Sequence, residues 1–167
     1  MKKIKCITIV VNLLLLLGYF NWSVLGKEKT LNEGQLVLLE LAPVDPRSLM
    51  QGDYMRLNYA IADTLDGKSN QAKRGYCVVR VAADGVAEFI RYQDNLQPIN
   101  TGEKAIKYFY RGSRFLPVSL GAESYFFEEG TSNIYEHAKF GGLKVDADGN
   151  SILTGLYDEK RQLIKGK

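Results

Sequence analysis

The most informative segment of the chain reads Leu41-Ala-Pro-Val-Asp-Pro-Arg-Ser-Leu-Met-Gln-Gly-Asp-Tyr-Met-Arg-Leu-Asn-Tyr-Ala-Ile61. Pro43 and Pro46 fix φ and bias the residues before them to extended geometry, so residues 43–47 are expected to form a stiff, non-repetitive loop. Gly52 and Asp53 are typical of a turn, in which the aspartate bonds nearby amides. The segment therefore predicts two strands joined by a loop that holds its side chains in place.

Side-chain alternation after this turn predicts a strand over residues 54–61 with one buried face. Successive side chains of a strand point to opposite faces of the sheet. Every second residue here is large and apolar: Met55, Leu57, Tyr59 and Ile61. Tyr54 begins the opposite face. We therefore interpret Leu57 and Tyr59 as structural residues of a buried core.

The remainder of the chain after residue 34 shows the pattern of an all-β domain. Short runs of β-branched and aromatic residues are separated by Gly, Asp, Asn and Pro at intervals of about ten residues. Further strands are predicted over residues 35–41, 76–82, 86–92, 104–111, 124–127, 142–146 and 152–156. Asp84-Gly85 and Asp148-Gly149 are hairpin signals, because both residue types tolerate the positive φ of tight turns. Residues 132–139 form the one helical candidate in this part.

The N-terminus predicts a membrane anchor. Residues 6–25 carry no charge and are numerous enough to cross a bilayer as a helix. Lysines precede this run at positions 2, 3 and 5, which favours a cytoplasmic N-terminus. Tyr19 and Trp22 fall near its distal end, where aromatic rings favour the headgroup level. We therefore divide the chain into a cytoplasmic tip with its anchor, residues 1–29, and an extracytoplasmic β-rich domain, residues 30–167, of a single-pass protein of the bacterial inner membrane.

The predicted fold class is mainly β: an N-terminal transmembrane helix, then one small β-barrel-like or sandwich domain with one short helix. A cleaved signal peptide is the alternative for the N-terminus, because Val24-Leu25-Gly26 resembles a cleavage site. Cys6 lies at the cytoplasmic edge and Cys77 in the exported part, so they cannot form a disulfide, and a buried, inert thiol is expected at Cys77. The formal net charge of +3 gives no support to nucleic-acid binding.

Five positions of the central segment match a bacterial family pattern. The residues that fill all the fixed positions of GDYxxLxY are Gly52, Asp53, Tyr54, Leu57 and Tyr59. Agreement extends to three further stretches, residues 43–49, 125–130 and 135–138. The chain thus resembles the GDYxxLxY family. This resemblance implies a membrane-anchored protein that is associated by genome neighbourhood with a multi-spanning membrane protein, and it carries no established activity.

A weaker resemblance links the chain to type I signal peptidases. Residues 49–54 and 125–133 occupy places comparable to two motifs of that β-rich domain. Those peptidases need a serine nucleophile and a neutral lysine base, whereas the serine position falls near Val44 and the strand expected to offer the lysine carries Arg91. Arginine cannot deprotonate and serve as a base. If the fold is shared, this copy is expected to be catalytically inactive.

The predicted functional surface consists of two loops that are far apart in sequence. Residues 43–54 and 125–135 are stiff or polar and contain residue types that a simple turn does not need, so we expect them to lie side by side. The residues assigned to this surface are Asp45, Arg47, Gly52, Asp53, Tyr54, Glu128, Glu129 and Tyr135. Among them, Arg47, Tyr54 and Glu129 are expected to reach a ligand or partner.

Other chemistries receive less support from the residues. A carboxylate pair for acid and base catalysis would have to be drawn from Asp45, Asp53, Glu128 and Glu129, and sequence spacing does not show that these meet. His137 is the single histidine, which excludes a His-ligated metal cluster. Residues 146–150 begin like a calcium loop, but the later ligand positions fail, so a hairpin turn is expected. No cofactor and no metal are predicted. The aromatic groups at residues 108–110 and 125–127 are explained equally well by core packing or by a binding surface.

Two functions remain in competition on this basis. The first is a membrane-anchored, extracytoplasmic binding or accessory module without catalytic activity, which contacts the membrane through residues 6–25 and works with a multi-spanning membrane protein. The second is an envelope hydrolase or peptidase-like enzyme with an unrecognised carboxylate or serine site. The lack of a recognisable nucleophile and base in the sequence favours the first.

The topology can be tested with a reporter. Alkaline phosphatase fused after Lys29 is expected to be active, because that enzyme requires export, and the full-length protein is expected to stay with membranes after alkaline washing. Release of a mature form that begins near Lys27 would establish the cleaved signal peptide instead.

Overall fold

The computed structural model describes residues 2–42, 54–65, 72–110, 118–128 and 130–166. Two α-helices are present among these residues, α1 (Lys2–Glu33) and α2 (Ser132–Tyr135). The strands, in chain order, are β1 (Gln35–Glu40), β2 (Tyr54–Arg56), β3 (Arg74–Val81), β4 (Ala87–Gln93), β5 (Glu103–Tyr110), β6 (Val118–Ser119), β7 (Ser124–Phe126), β8 (Phe140–Val145) and β9 (Ser151–Tyr157). A 3₁₀ helix covers Ala60–Leu65. The part of the chain after α1 is therefore mainly β, as predicted.

The helix α1 exposes its apolar side chains along its length. Leu15 and Trp22, for example, are 70% and 81% exposed. By length and composition α1 can cross a membrane, which suggests a single-pass anchor. The helix extends past residue 29, the predicted end of the anchor, and a single residue, Gly34, separates it from β1.

The strands form three antiparallel sheets. The first sheet has the order β1-β8-β9, the second contains β2 and β7, and the third has the order β4-β3-β5-β6. The β3–β4 and β8–β9 hairpins turn at the two predicted Asp-Gly sites, and Gly85 and Gly149 adopt φ of +84° and +81°. Both hairpin predictions are confirmed, since glycine adopts such angles without a steric penalty.

Hydrogen bonds connect the first and third sheets at two of their edges. Leu38 N in β1 donates to Gly85 O at 2.9 Å, beside a parallel bridge from Leu38 to Val86. At another edge, Ser151 Oγ in β9 donates to Leu120 O at 3.0 Å. The edges of the first and third sheets therefore contact each other, and their inward faces share one hydrophobic core.

The strand that begins at Tyr54 is shorter than predicted. The prediction was residues 54–61, whereas β2 ends at Arg56, because the backbone then changes partners. Leu57 N still donates to Glu123 O beside β7, whereas Asn58 O accepts a hydrogen bond from Ala42 N at the end of β1, both at 2.8 Å. A regular ladder cannot form while the partner changes.

The predicted alternation of buried and exposed side chains is present despite this change of partner. The burial pattern of β2 places Met55 inside the domain, and Leu57 and Tyr59 are each 1% exposed. Ile61 is also buried, whereas Tyr54 is exposed. The interpretation of Leu57 and Tyr59 as core residues is therefore confirmed.

Two further differences from the predicted elements concern short segments. The two-residue strand β6 was not predicted, because two residues are too few to show a period of two. The helix α2 ends at Tyr135 rather than at residue 139, since the chain turns where Ala138 N donates to Tyr135 O at 3.0 Å. The other predicted strands are present with ends shifted by one or two residues.

Tyr59 connects three separate parts of the domain. Its hydroxyl donates to Ala122 O at 2.6 Å, and its backbone bridges to Leu41 at the end of β1. Its ring lies on Gly141 of β8 so closely that a Cβ there would lie 2.9 Å from Tyr59 Cε1. Burial, together with the negative charge of Glu123, raises the pKa of the Tyr59 phenol, so the phenol stays protonated as a donor.

The substitution Tyr59→Phe is expected to lower the free energy of unfolding by about 1 to 3 kcal/mol, because it leaves the buried Ala122 carbonyl without its donor. Tyr54→Phe removes an exposed hydroxyl and serves as the matched control, with an expected change within about 0.5 kcal/mol. Urea unfolding of the detergent-solubilised protein measures both. Equal stabilities of the two variants would contradict the structural role of the Tyr59 hydroxyl.

Candidate binding surface

Two exposed aromatic rings lie side by side on the paired strands β2 and β7. In the β2–β7 pair, Tyr54 lies opposite Phe126. Their ring centroids are 5.7 Å apart, and the residues are 43% and 73% exposed. Cross-strand neighbours on one sheet face normally contact each other in this way. We call Tyr54 and Phe126 the aromatic pair.

The opposite face of β7 is supported by a second aromatic group. Tyr125 contacts Tyr135 with a centroid distance of 5.2 Å, and Phe127 contacts the same ring at 5.5 Å. Burial and the hydrogen bond to Tyr135 raise the pKa of Tyr125 to about 12, so its phenol is protonated at physiological pH. These rings pack on the face of β7 opposite Phe126 and thereby order the strand that carries Phe126.

The structure places the predicted surface residues in three situations. Tyr54 and Glu128 are exposed, Tyr54 in β2 and Glu128 just after β7. Tyr135 was predicted to lie on the surface but is 5% exposed, because α2 turns its ring inward onto Tyr125 and Phe127. Five more predicted residues lie outside the described part of the chain: Asp45, Arg47, Gly52, Asp53 and Glu129. The described ends of the two loops are therefore adjacent through β2 and β7.

Phe126 belongs to this surface although the sequence did not single it out. The run at residues 125–127 showed that an aromatic side chain would face each way, but not which one would be exposed. Pairing with β2 decides this, because it places Phe126 on the face of Tyr54. The second aromatic run behaves similarly: Tyr108 is buried, and Phe109 is 44% exposed, with the Arg74 guanidinium 4.9 Å from its ring centroid.

The residues considered for metal binding or catalysis either make structural contacts or are not grouped with other such residues. Within the described residues, no three His, Cys, Asp or Glu side chains are placed to hold a metal ion. Asp146 accepts hydrogen bonds from Asp148 N, Asn150 N and the Asn150 side chain, as in an ordinary hairpin turn. Burial raises the pKa of the Cys77 thiol, which disfavours the nucleophilic thiolate.

Arg91 occupies the strand in which a signal peptidase would carry its lysine, and its guanidinium orders a loop. It donates to both carboxylate oxygens of Glu103 at 3.0 Å and to Pro98 O at 2.9 Å. Asn100 donates to the same carboxylate through its backbone and its side chain. The Glu103 side chain is 4% exposed. This bidentate pair therefore fixes residues 94–102 between β4 and β5, a role that the sequence did not indicate.

Comparison with known proteins identifies one family. A sequence model described as GDYXXLXY protein matches residues 16–156, which covers most of the chain. The match includes the second half of α1 and both strands that carry the aromatic pair. No curated protein and no solved structure matches the chain.

The Glu103 carboxylate makes stability depend on pH in a defined direction. The hydrogen bonds from Arg91, then those from Asn100, lower the pKa of Glu103 from 4.5 to about 2. Its stabilising contribution is therefore complete above pH 4.5, declines as the pH falls toward 2, and is lost below that value. Glu103→Gln is expected to destabilise the protein at neutral pH, and the difference from the wild type is expected to shrink over this range.

Urea unfolding at a series of pH values measures this difference. Asp94→Asn, which changes an exposed acid in the same loop, is the control. A difference between wild type and Glu103→Gln that stays constant with pH would show that the carboxylate charge does not stabilise the loop.

Proposed function

This chain belongs to the GDYXXLXY family, and we propose that it is a membrane-anchored binding module that acts without catalysing a reaction. The observation that carries the proposal is the aromatic pair. Tyr54 is one of the fixed residues of the family pattern, yet its side chain is exposed beside the more exposed Phe126. Leu57 and Tyr59 of the same pattern are core residues, so the pattern combines a structural part with an exposed part.

The aromatic pair has the properties of a contact site for another protein. Large, rigid aromatic side chains are enriched at interface centres, because they bury much apolar area at a small cost in conformational entropy. After α1, the described residues include few large exposed apolar side chains, namely Tyr54, Phe109, Phe126 and Leu163. Two of these form the aromatic pair, and Arg74 lies over a third.

The partner class follows from the position of the domain. The domain begins one residue after a helix that suggests a membrane anchor, so the domain that carries the aromatic pair is tethered to the bilayer in this proposal. A partner in the same membrane meets this surface at a high effective concentration. We therefore propose an integral membrane protein as partner, with several spans as the family resemblance implies, and an extracytoplasmic position at the inner membrane from the N-terminal lysines.

Site-specific photocrosslinking in native membranes tests this function. Benzoylphenylalanine at position 126 is expected to form an adduct with an integral membrane protein. The same residue at position 109 is the control, since Phe109 is also an exposed aromatic residue but lies in a different sheet. Tyr54→Ala, combined with the label at 126, is expected to lower the adduct yield about tenfold, the loss typical of one well-packed interface residue.

The alternatives give different products. Absence of an adduct from position 126 in a folded protein, or equal yields from 126 and 109, would place the binding surface elsewhere. An adduct with an envelope peptide or polymer that is cleaved in the process would favour the hydrolase.

A further inference from the structure

The last turns of α1 are bonded to the β8–β9 hairpin. Thr30 is only 2% exposed, although it belongs to a helix whose other side chains are largely exposed. Its hydroxyl donates to Asp146 Oδ2 at 2.7 Å, across 116 positions of sequence. The hydroxyl also lies 3.2 Å from Gly26 O within the helix. The shorter contact is the one to the carboxylate, so Thr30 joins the helix to the domain.

The carboxylate that receives this bond is itself fixed. Asp146 Oδ1 accepts from Asp148 N and Asn150 N, both at 2.9 Å, and Oδ2 accepts from Asn150 Nδ2 at 2.8 Å. Partial burial acts to raise the pKa of Asp146, but the hydrogen bonds from Thr30 and Asn150 hold it below the ordinary value. An ionised acceptor held by the hairpin turn makes the bond from Thr30 stronger than one between neutral groups.

The connection between α1 and β1 leaves no free linker. Gly34 N donates to Thr30 O at 3.0 Å, and Lys144 Nζ donates to Gly34 O at 2.9 Å. A Cβ at Gly34 would collide with the Thr30 carbonyl oxygen and would lie 3.1 Å from Val145 N. The next residue, Gln35, already pairs with Val145 of β8. Thr30, Gly34 and Gln35 are therefore each bonded to the β8–β9 hairpin.

We propose that α1 and the β-rich domain form one rigid unit, in which the anchor helix holds the aromatic pair at a fixed height and orientation above the bilayer. The apolar run ends at residue 25, and residues 26–33 continue the helix for about 12 Å at 1.5 Å per residue. This inference rests on the proposed function in one respect, which is the identity of the partner. In that proposal, the extramembrane part of a protein in the same membrane binds the aromatic pair. A rigidly presented surface suits such a partner, because both sides of the contact keep their orientation to the bilayer.

Distance measurements between spin labels test the rigid unit. The full chain in lipid nanodiscs, with Cys6→Ser and the buried Cys77 retained, is labelled at Lys27→Cys on α1 and Glu88→Cys on β4, which are both exposed. The labelled parent is expected to give one narrow distance distribution. Thr30→Val is expected to broaden that distribution at least twofold, whereas Thr30→Ser, which keeps the hydroxyl, is expected to leave it narrow.

A second threonine in the same helix supplies the matched control. Thr8 Oγ1 donates to Ile4 O at 3.0 Å, which is a hydrogen bond within α1. Thr8→Val is therefore expected to leave the distance distribution narrow. A broad distribution in the labelled parent, or equal widths for Thr30→Val and Thr8→Val in folded proteins, would overturn the rigid unit. If Thr30→Val fails to fold, the width measured for the parent decides the question.

An insertion separates this inference from the proposed function. Four residues, Gly-Ser-Gly-Ser, placed between Glu33 and Gly34 are expected to uncouple the helix from the domain and to lower the crosslinking yield from position 126 several-fold. An unchanged yield would overturn the fixed presentation while the binding function stands. A narrow distance distribution with no adduct from position 126 in the protein without the insertion would overturn the binding function while the rigid unit stands.

Discussion

The domain depends on the burial of Tyr59. Its ring lies on the backbone of Gly141, its hydroxyl donates to Ala122 O, and its backbone meets Leu41, so one residue joins β8, the segment before β7 and the end of β1. The bond to Ala122 O brings the chain before Tyr59 close to β7. The pairing of β2 with β7, and with it the position of Tyr54 beside Phe126, follows from this constraint.

The family pattern therefore combines two kinds of residue in one short segment. Leu57 and Tyr59 point inward and give the strand its position, while Tyr54 points outward. The inward residues hold the backbone beneath the exposed ring, and in the proposed binding module this order reduces the entropy that binding must overcome. Similarly, the hydrogen bond from Thr30 to Asp146 joins the domain to α1 without a flexible segment.

The predicted and observed sites differ where a residue contacts another residue far away in the sequence, because local patterns do not specify such contacts. Residues 54–61 alternate as a strand does, yet β2 ends at Arg56, because the backbone turns to a different partner at Asn58, whose carbonyl accepts from Ala42 N. Tyr135 stands in a polar segment, yet the packing of α2 on β7 buries its ring. The role of Arg91 was also missed, since its partner Glu103 belongs to another strand.

The sequence alone determined the properties that depend on composition and period: a helix able to cross a membrane, a mainly β domain, two Asp-Gly hairpins, and the burial of Leu57 and Tyr59. These are local properties, because charge, length and alternation are complete within a few residues. Only the tertiary structure decided that Phe126 stands beside Tyr54 and that Thr30 bonds to Asp146. Such pairs join residues far apart in the chain, and their choice depends on how the whole core packs, which no single segment encodes.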